Sequence, residues 1–586
     1  MAAIAKMISH QFLGRKIKLI FKLKLGFRAV HQSSQFSITT PIFYVNAAPH
    51  IGHMYTAVLA DTIHRWQHLL GRKSYLYTGT DEHGLKIQQS ALRQGVEPLE
   101  HCNTVSQTFR DLFTTCGIDH SDFVRTTEPR HRDAVQNFWG VLESGGHIYK
   151  GTYEGWYCTN EEAFLAEEQT HMVDEGGTVN RVSLESGHPV QWTIEENYLF
   201  RLSSFQQPLL ELVKKEGFIQ PSVFKTIVLG WLESGLPDLS VSRQRSRLPW
   251  GIQVPGDSAQ TIYVWLDALV NYLTVSGYPG NSTNWPISCH VIGKDILKFH
   301  AIYWPAFLIA AKMEPPKHIF CHSHWTVEDR KMSKSLGNVV DPFDRIQKYT
   351  SDGLRYFLLR NGVPHFDCDY SDVKVIACLN DELCNNLGNL LSRSTAPSLN
   401  PEQTWAPSDA SWEDFLTNLS DEDESLINQL VNLPEVVSSH MDQYNIYKAM
   451  DSILRVLRDT NAFFQRRTPW NDRKLGTHET IIRLNNTLHC TYEILHVCGI
   501  LLQPMVPNLS NSLLSHLGIP SHSRTYQNAT RSAFHRIRIG ETGKERQMKG
   551  KRFLGERKEL FPRILTEKPQ SVQPVKSKKK KLKVQK

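Results

Sequence analysis

The stretch from Ser37 to Gly71 constrains the fold more than any other part of the chain. Its first residues are apolar and β-branched, the residues from Asn46 to Pro49 favour a turn, and from Ile51 the apolar residues recur with helical spacing. Gly71 follows the last of these, and glycine is common just after a helix. The pattern predicts a strand, a tight turn and a helix. A second strand, loop and helix are indicated at 74–95, so we predict an α/β fold with a doubly wound parallel sheet.

His50 and His53 fall in the first turn of the predicted helix. They lie three residues apart and share one face, and Gly52 between them leaves room for a ligand to approach the backbone. The unpaired N–H groups and positive dipole end of a helix suit a phosphate, and two imidazoles can donate to an anion in a transition state. The pair is equally compatible with a polar helix start that has no chemical role.

A second basic motif follows much later in the chain. It reads Lys331-Met332-Ser333-Lys334-Ser335-Leu336-Gly337-Asn338, and its lysines and hydroxyls suit a mobile loop that grips a phosphate. A solvated basic loop is the alternative. Together, HisIleGlyHis and LysMetSerLysSer resemble, without a single change, the two signature motifs of the class I aminoacyl-tRNA synthetases.

The composition is typical of a large protein with local charged surfaces. The chain has 586 residues, 40% of them hydrophobic, and its net charge of +7 is concentrated at the two ends. Its 10 cysteines include no Cys-x-x-Cys pair, which argues against a zinc knuckle and a disulfide framework and favours a reducing compartment. The apolar run 301–311 is too short to span a membrane and favours a buried helix, so we expect no membrane association.

The N-terminus is basic and free of acidic residues. Lysines and arginines are interleaved with apolar residues, and no Asp or Glu precedes Asp61. Such a start favours a mitochondrial transit peptide over residues 1–35, and hence a location in the mitochondrial matrix. A basic arm that binds RNA is the alternative, because transit peptides favour arginine whereas this segment favours lysine.

Further motifs narrow the resemblance to the methionyl-tRNA synthetase family, in its mitochondrial type. They are PIFYVN (41–46), GTDEHG (79–84), EENYLFRLS (195–203), DLSVSR (238–243), VWLDA (264–268) and GKDI (293–296). The similarity covers about residues 36–520. It implies a Rossmann-type catalytic domain with an inserted connective module, followed by an all-α helical bundle that binds the anticodon.

These observations divide the chain into segments. We assign the two halves of the catalytic domain to 36–148 and 241–375, the inserted module to 149–240, the helical bundle to 376–520, and a basic, largely disordered tail to 521–586. LeuPhePro at 560–562 suggests one ordered contact within that tail. Its terminal lysine run is compatible with a solvated tail, with salt-dependent tRNA affinity or with nuclear import.

The resemblance, carried over position by position, assigns roles to individual residues. The catalytic residues would be His50, His53, Lys331 and Lys334. Methionine would be bound by Ile42, Tyr44, Asp81 (through the amino group), Trp265, Ala268, Leu269, Tyr272 (its hydroxyl near sulfur), Ile296 and His300. ATP would be bound by Gly52, Gly293, Asp295, His322, Met332, Ser333, Lys334 and Ser335. The anticodon would be contacted by Asn389, Arg393 and Trp470.

Some of these residues have structural alternatives, and two positions depart from the family. Taken alone, Asp81 could be a helix N-cap, and Trp470 or the pocket aromatics could be core residues. Many members have proline where Leu269 stands, so the resemblance does not define that wall of the pocket. Many also carry zinc-binding cysteines in the insert; this chain lacks them, and we therefore expect no structural zinc and no metal site.

The implied reaction has two steps. The methionine carboxylate attacks the α-phosphorus of ATP, whose phosphates Mg²⁺ bridges, and a ribose hydroxyl at the 3′ end of tRNA(Met) then takes the methionyl group. Charge moves from the α to the β phosphate, so electrostatic stabilisation should dominate catalysis. We expect a monomer whose partners are L-methionine, ATP and tRNA(Met). A synthetase for another amino acid and a non-catalytic RNA-binding protein are the other classes of function, and amino-acid-dependent pyrophosphate exchange distinguishes them.

Overall fold

The computed structural model describes most of the chain. The described residues are 35–158, 163–165, 167–175, 178–184, 187–281, 284–332, 337–405, 419–532, 534 and 552–565. The predicted transit peptide apart from Gln35, Ser333 to Leu336 of the second motif, and the terminal lysine run lie outside them.

A parallel sheet forms the centre of the first large domain. Its strands are β1 (Phe36–Thr39), β2 (Phe43–Tyr44), β3 (Ser74–Asp81), β4 (Asp122–Arg125), β5 (Ile219–Gln220), β6 (Cys289–Gly293) and β7 (His318–His322). They lie in the order β5-β7-β6-β1-β3-β2, with β4 also paired to β3, and these pairings are parallel. The order of the strands in the sheet reverses between β1 and β6, because the chain passes from β1 to β3 on one side and reaches β6 and β7 on the other. Doubly wound sheets bind ligands at this reversal point, beyond the carboxyl ends of the strands.

Helices cover both faces of this sheet. They are α1 (Ile51–Leu69), α2 (Leu85–Gln94), α3 (Pro98–Cys116), α4 (Pro129–Ser144), α5 (Gln206–Lys214), α6 (Ser222–Glu233), α7 (Val264–Thr274), α8 (Trp304–Ala310), α9 (Pro342–Tyr349) and α10 (Ser351–Asn361). Alternate residues of β7 point to opposite faces: Phe320 packs in one apolar cluster with α1 and α3, whereas Ile319 and Cys321 pack in a second with α4, α7 and α8. The predicted doubly wound sheet is confirmed.

The 301–311 run contributes α8, which is short and largely buried as predicted. Across the described residues, we find no helix whose length and apolar character would let it cross a membrane.

The inserted module is an antiparallel sheet beside the parallel one. Its strands are Leu239–Ser240, Val190–Phe200, Ile148–Cys158 and Ala163–Leu165, and a separate two-stranded hairpin is formed by Thr170–Glu175 and Thr178–Ser183. Residues 219–220, which lie inside the predicted insert, instead pair with β7 and belong to the main sheet. A two-residue strand has too little alternation to be found in a sequence. Smaller sheets are formed by Ser242–Gln244, Gln253–Val254 and Asp257–Ile262, and by Trp325–Val327, Arg330–Lys331 and Cys368–Asp369.

A helical bundle follows the sheet domain. Its helices are α11 (Asp372–Cys378), a π-helical stretch (Leu379–Gly388), α12 (Asn389–Ser394), α13 (Asp421–Asp442), α14 (Ile446–Arg467), α15 (Pro469–Leu475), α16 (His478–Leu502) and α17 (Pro507–His516). Their apolar side chains continue the cluster that contains α1 and α3. One hydrophobic core therefore joins the bundle to the sheet domain.

Ordered structure continues beyond residue 520, where the sequence predicted a largely disordered tail. A short helix, α18 (Tyr526–Ala529), follows, and Arg552–Phe553 pairs with Thr404–Trp405. Phe561, in the predicted contact at 560–562, is only 5% exposed. Elements this short have no measurable periodicity, so the prediction of a largely disordered tail rested on composition alone.

Candidate active site

One cavity of about 390 Å³ lies at the carboxyl ends of the parallel strands and the start of α1. The predicted site residues that line it are Ile42, Tyr44, His50, Gly52, His53, Asp81, Trp265, Ala268, Leu269, Tyr272, Gly293, Asp295, Ile296, His300, His322, Lys331 and Met332. The predicted residues Ser333, Lys334 and Ser335 lie outside the described part of the chain. Residues spread over nearly 300 positions are thus brought to a single cavity.

His50 and His53 cap the helix with their rings. The Gly52 N–H donates to His50 Nδ1 over 3.0 Å, and the His50 N–H donates to His53 Nδ1 over 3.1 Å. The two rings stack with centroids 3.9 Å apart. Burial lowers the pKa of His50 to about 4 and that of His53 well below its usual value. Each neutral ring therefore carries its single proton on Nε2, which is a donor.

The backbone at the start of α1 differs from the sequence prediction. The N–H of Ile51 donates to Val340 O over 3.2 Å, the N–H of His53 donates to His50 O, and that of Gly52 is taken by His50. These three backbone N–H groups are already hydrogen-bonded and are therefore not available to a phosphate. The Nε2–H groups of the two imidazoles are the donors that this end of the helix offers instead. A Cβ on Gly52 would lie 2.8 Å from His50 Cε1, so glycine here makes room for the His50 ring at the edge of the cavity.

Asp81 ends β3 at the rim of the cavity. It is not a helix N-cap, since α2 begins at Leu85 after Gly84. The next residue, Glu82, is fully buried and accepts two hydrogen bonds from Arg125, at 2.7 and 3.0 Å. This ion pair between neighbouring strand ends fixes the loop that presents Asp81.

Aromatic and imidazole side chains form the opposite wall. Trp265 stacks on Phe299 with ring centroids 3.7 Å apart. His300 Nδ1 lies 2.9 Å from Ile296 O, which can only accept, so this nitrogen carries the proton. Burial lowers the pKa of His300 to about 4, and its Nε2 therefore accepts from the Tyr272 hydroxyl over 2.7 Å. The Tyr272 proton is directed to His300.

Charged groups gather at the other end of the cavity. Asp295 Oδ1 lies 3.2 Å from His324 Nε2. Enclosure opposes ionisation of Asp295, but the hydrogen bond from His324 and the charge of Lys331 outweigh it and lower the Asp295 pKa well below its usual value. His322 Nε2 is 2.8 Å from Thr56 Oγ1, and burial lowers the pKa of His322 to about 4.

Sequence reasoning missed several lining residues. They are Pro41, Phe43, Tyr55, Thr56, Lys86, Val264, Asn271, Ser323, His324 and Trp325. His324 follows β7 two residues after His322, and this position beyond a strand end could have revealed it. Pro41, Phe43 and Val264 lie within the PIFYVN and VWLDA motifs, which could also have revealed them. The others carry no signal that separates them from core or surface residues.

The predicted anticodon residues lie in the bundle, apart from the cavity. Asn389 and Arg393 are exposed one turn apart on α12, and Trp470 at the start of α15 is 38% exposed. The Arg393 guanidinium lies 5.1 Å above the buried Phe464 ring, whose centroid is 6.4 Å from that of Trp470. Phe464 thus joins Arg393 and Trp470 into one surface.

Few potential metal ligands lie close together in the described residues of the insert. Cys158 is buried there, and no group of three potential ligands gathers around it within the parts of the insert that the structure describes. Elsewhere in the described chain, His64, His68 and Asp119 present ligand atoms within 4.8 Å of one another.

Two family models match the chain. The model for tRNA synthetases class I (M) matches residues 36–395, and that for the anticodon binding domain of methionyl tRNA ligase matches residues 416–552. The parallel sheet, the cavity lined by HisIleGlyHis and Lys331, and the bundle agree with these matches. Fold and site together define a class I aminoacyl-tRNA synthetase.

Similar proteins specify the family further. The human mitochondrial methionine–tRNA ligase is 53% identical over 503 residues, which are 83% of this chain and 84% of that protein. A probable mitochondrial methionine–tRNA ligase of Dictyostelium discoideum is 43% identical over 507 residues, 83% of this chain and 87% of that protein. The chain belongs to the methionyl-tRNA synthetase family, and within it to the mitochondrial methionine–tRNA ligases.

Solved structures agree with this assignment. Mycobacterium tuberculosis methionyl-tRNA synthetase in complex with methionyl-adenylate has a TM-score of 0.83 and 34% identity, covering 91% of this chain and 100% of that one. The apo form of the same enzyme has a TM-score of 0.77 and 31% identity, covering 92% and 100%. The chain therefore has the fold of a methionyl-tRNA synthetase over most of its length.

Proposed function

We propose that the single cavity performs both steps of methionine–tRNA ligation. It activates methionine with ATP and then transfers the methionyl group to the 3′ end of tRNA(Met). The observation that carries this proposal is the meeting of an aromatic pocket, the Asp81 carboxylate and the two α1 histidines around one space. The catalytic halves are 36–148 and 241–375, with the antiparallel part of 149–240 as the connective insert, since residues 219–220 belong to the main sheet, and with 376–520 as the anticodon-binding bundle.

Methionine lies between Asp81 and the aromatic wall. The carboxylate pairs with its ammonium group, and Trp265, Ala268, Leu269, Tyr272, Ile296 and His300 enclose the thioether, with Ile42 and Tyr44 closing over it. Since the Tyr272 proton is directed to His300, the sulfur meets ring faces and the hydroxyl oxygen rather than a donated proton. Selectivity then depends on shape, and each methylene in such a pocket contributes only about 1 to 3 kcal/mol.

ATP occupies the opposite end. Gly293, Asp295 and His322 contact adenosine, with Asp295 on the ribose, and Gly52 keeps space for the His50 ring. His50 and His53 stabilise the α-phosphate through Nε2–H groups, while Lys331 and Lys334, with Met332, Ser333 and Ser335 around them, stabilise the departing pyrophosphate. Mg²⁺ accompanies ATP and bridges its phosphates. The neutral histidines contribute dipoles, so the positive charge comes from the lysines and the metal.

The bundle binds the anticodon of tRNA(Met) through Asn389, Arg393 and Trp470. Trp470 is partly exposed and packs on Phe464, which also carries the Arg393 guanidinium, and an exposed indole can stack on an unpaired base. The chain acts as a monomer in the mitochondrial matrix, and its insert folds without zinc. The absence of Cys-x-x-Cys pairs and the burial of Cys158 support the last point.

Amino-acid-dependent exchange of pyrophosphate into ATP tests the proposal. The full chain should exchange pyrophosphate with methionine and not with the other amino acids. Lys331→Ala should lower the exchange rate much more than it raises the KM for methionine, because Lys331 lines the cavity. Arg330→Ala is the matched control, since the neighbouring Arg330 is exposed and is not among the lining residues. Exchange with another amino acid, or equal loss in both variants, would refute the assignment.

A further inference from the structure

Asp267 is a buried carboxylate that takes no part in lining the cavity. It is 1% exposed and lies on α7, the helix that carries Trp265, Ala268, Leu269 and Tyr272. Its Oδ2 accepts from His83 Nδ1 and its Oδ1 from His131 Nε2, each over 2.7 Å. A buried charge needs such partners, and both oxygens of Asp267 have one.

The His83 bond joins the two ends of the amino-acid pocket. His83 follows Asp81 by two residues, in the loop that leaves β3, whereas Asp267 is next to the lining residue Ala268 and lies one turn from the lining residues Val264 and Asn271. The bond therefore connects the carboxylate at one end of the pocket to the aromatic wall at the other. Neither His83 nor Asp267 lines the cavity among the residues described.

The other partner of Asp267 anchors α7 to the body of the domain. His131 is fully buried on α4, and its Nδ1 lies 2.9 Å from Thr274 Oγ1 at the last turn of α7. One imidazole thus holds α7 at two points. The Asp81 loop is held separately by Arg125 through Glu82, so both walls are fixed and the His83–Asp267 bond sets their spacing.

We propose that Asp267 and His83 are positioning residues for methionine. They set the distance between the carboxylate that receives the ammonium group and the pocket that receives the thioether. This inference rests on the proposed roles of Asp81 and of the aromatic wall. A shift of about 1 Å between such groups can change a rate or affinity up to roughly a hundredfold.

A matched pair of variants at His83 tests the bond. His83→Leu removes the donor, whereas His83→Asn places an amide N–H near the position of Nδ1. In methionine-dependent pyrophosphate exchange, His83→Leu should raise the KM for methionine roughly tenfold or more, with kcat and the KM for ATP changed by less than about threefold. His83→Asn should stay close to wild type. Asp267→Asn, which keeps the side-chain shape, should change the methionine KM in the same direction as His83→Leu.

A distant buried histidine serves as the control. His516 is 4% exposed and bonds Thr395 in the bundle, so His516→Leu removes a similar contact far from the cavity. It should leave the methionine KM unchanged. An unchanged KM in both His83→Leu and Asp267→Asn, or an equal rise in His83→Asn or His516→Leu, would overturn the inference. Absence of methionine-dependent exchange in the wild-type chain would instead overturn the proposed function.

Discussion

Each histidine of the cavity has its proton placed by its neighbours. In His50 and His53 the Nδ1 atoms accept from backbone N–H groups, so the protons lie on Nε2. In His300 a backbone carbonyl draws the proton to Nδ1, and Nε2 becomes an acceptor for Tyr272. Histidine is therefore a donor at the start of α1, the proposed phosphate end, and an acceptor beside Tyr272, the proposed thioether end.

The lowered pKa values predict a pH profile. Burial lowers the pKa of His50 and His322 to about 4, so both remain neutral as pH falls from 8 towards 6, whereas an unperturbed histidine would gain a proton near 6.5. In pyrophosphate exchange, kcat/KM for ATP reports the free enzyme and free ATP, whose own phosphate titrates in this range, so any inflection near pH 6.5 should be the same in the wild type and in His50→Asn. An inflection near 6.5 that disappears in His50→Asn would contradict the neutral assignment.

Individual residues of the cavity could be predicted from the sequence where they belong to a motif. Every predicted residue of the cavity that the structure describes lines it. The structural roles of particular residues were not predictable. Gly52 makes room for the His50 ring, and Glu82 pairs with Arg125, which lies in another strand. The roles of Asp267 and Thr56 depend on contacts with distant segments, through His83, His131 and His322, and a sequence alone does not give these distances.

At the scale of elements, α1 and α7 organise the site. The first presents both histidines from its initial turn, and the second presents the aromatic wall. The first helix was indicated by apolar periodicity together with its motif, whereas the second was recognised only through the VWLDA motif and not as a helix. The two-residue strand β5 and the ordered segments beyond residue 520 were missed, since their pairing partners lie far away in the chain.

The bundle should act on tRNA without affecting activation. Trp470→Ala removes the exposed indole that packs on Phe464, which we expect to lower the aminoacylation rate by roughly five- to 150-fold, given about 1 to 3 kcal/mol for one base–aromatic stack. Methionine-dependent exchange should be unchanged. Leu475→Ala, on the same helix and 65% exposed, is the control and should affect neither reaction. Equal losses of aminoacylation and exchange in Trp470→Ala would refute the placement.

At the scale of the whole molecule, one arginine joins the sheet domain to the bundle. Arg355 on α10 is fully buried, and its Nη2 lies 2.6 Å from Asp61 Oδ2 on α1. Its Nε donates to Met505 O over 3.0 Å and its Nη2 to Pro504 O over 3.2 Å, both just after α16. The catalytic helix and the bundle thus share one buried cation.

Loss of this cation should destabilise the protein. Arg355→Met leaves the buried Asp61 carboxylate with Arg65 as its charged partner and the backbone N–H of Asp119 as a donor, and breaking a buried pair costs about 3 to 5 kcal/mol. We expect the urea midpoint of unfolding to fall accordingly, and the double variant with Asp61→Asn to lose less than the sum of the single variants. Arg130→Met, at a half-exposed pair with Asp122, should cost about 1 kcal/mol or less. Similar midpoints for Arg355→Met and Arg130→Met would contradict this account.

The central claim is that one cavity holds methionine and the nucleotide end to end. A crystal structure of the chain with a non-hydrolysable methionyl-adenylate analogue tests it most directly. The ammonium group should lie within hydrogen-bonding distance of Asp81, about 3 Å, with the thioether against Trp265 and Tyr272, the phosphate isostere facing His50 and His53, and the ribose at Asp295. An analogue bound elsewhere, or one lying in the reverse direction along the cavity, would contradict the account.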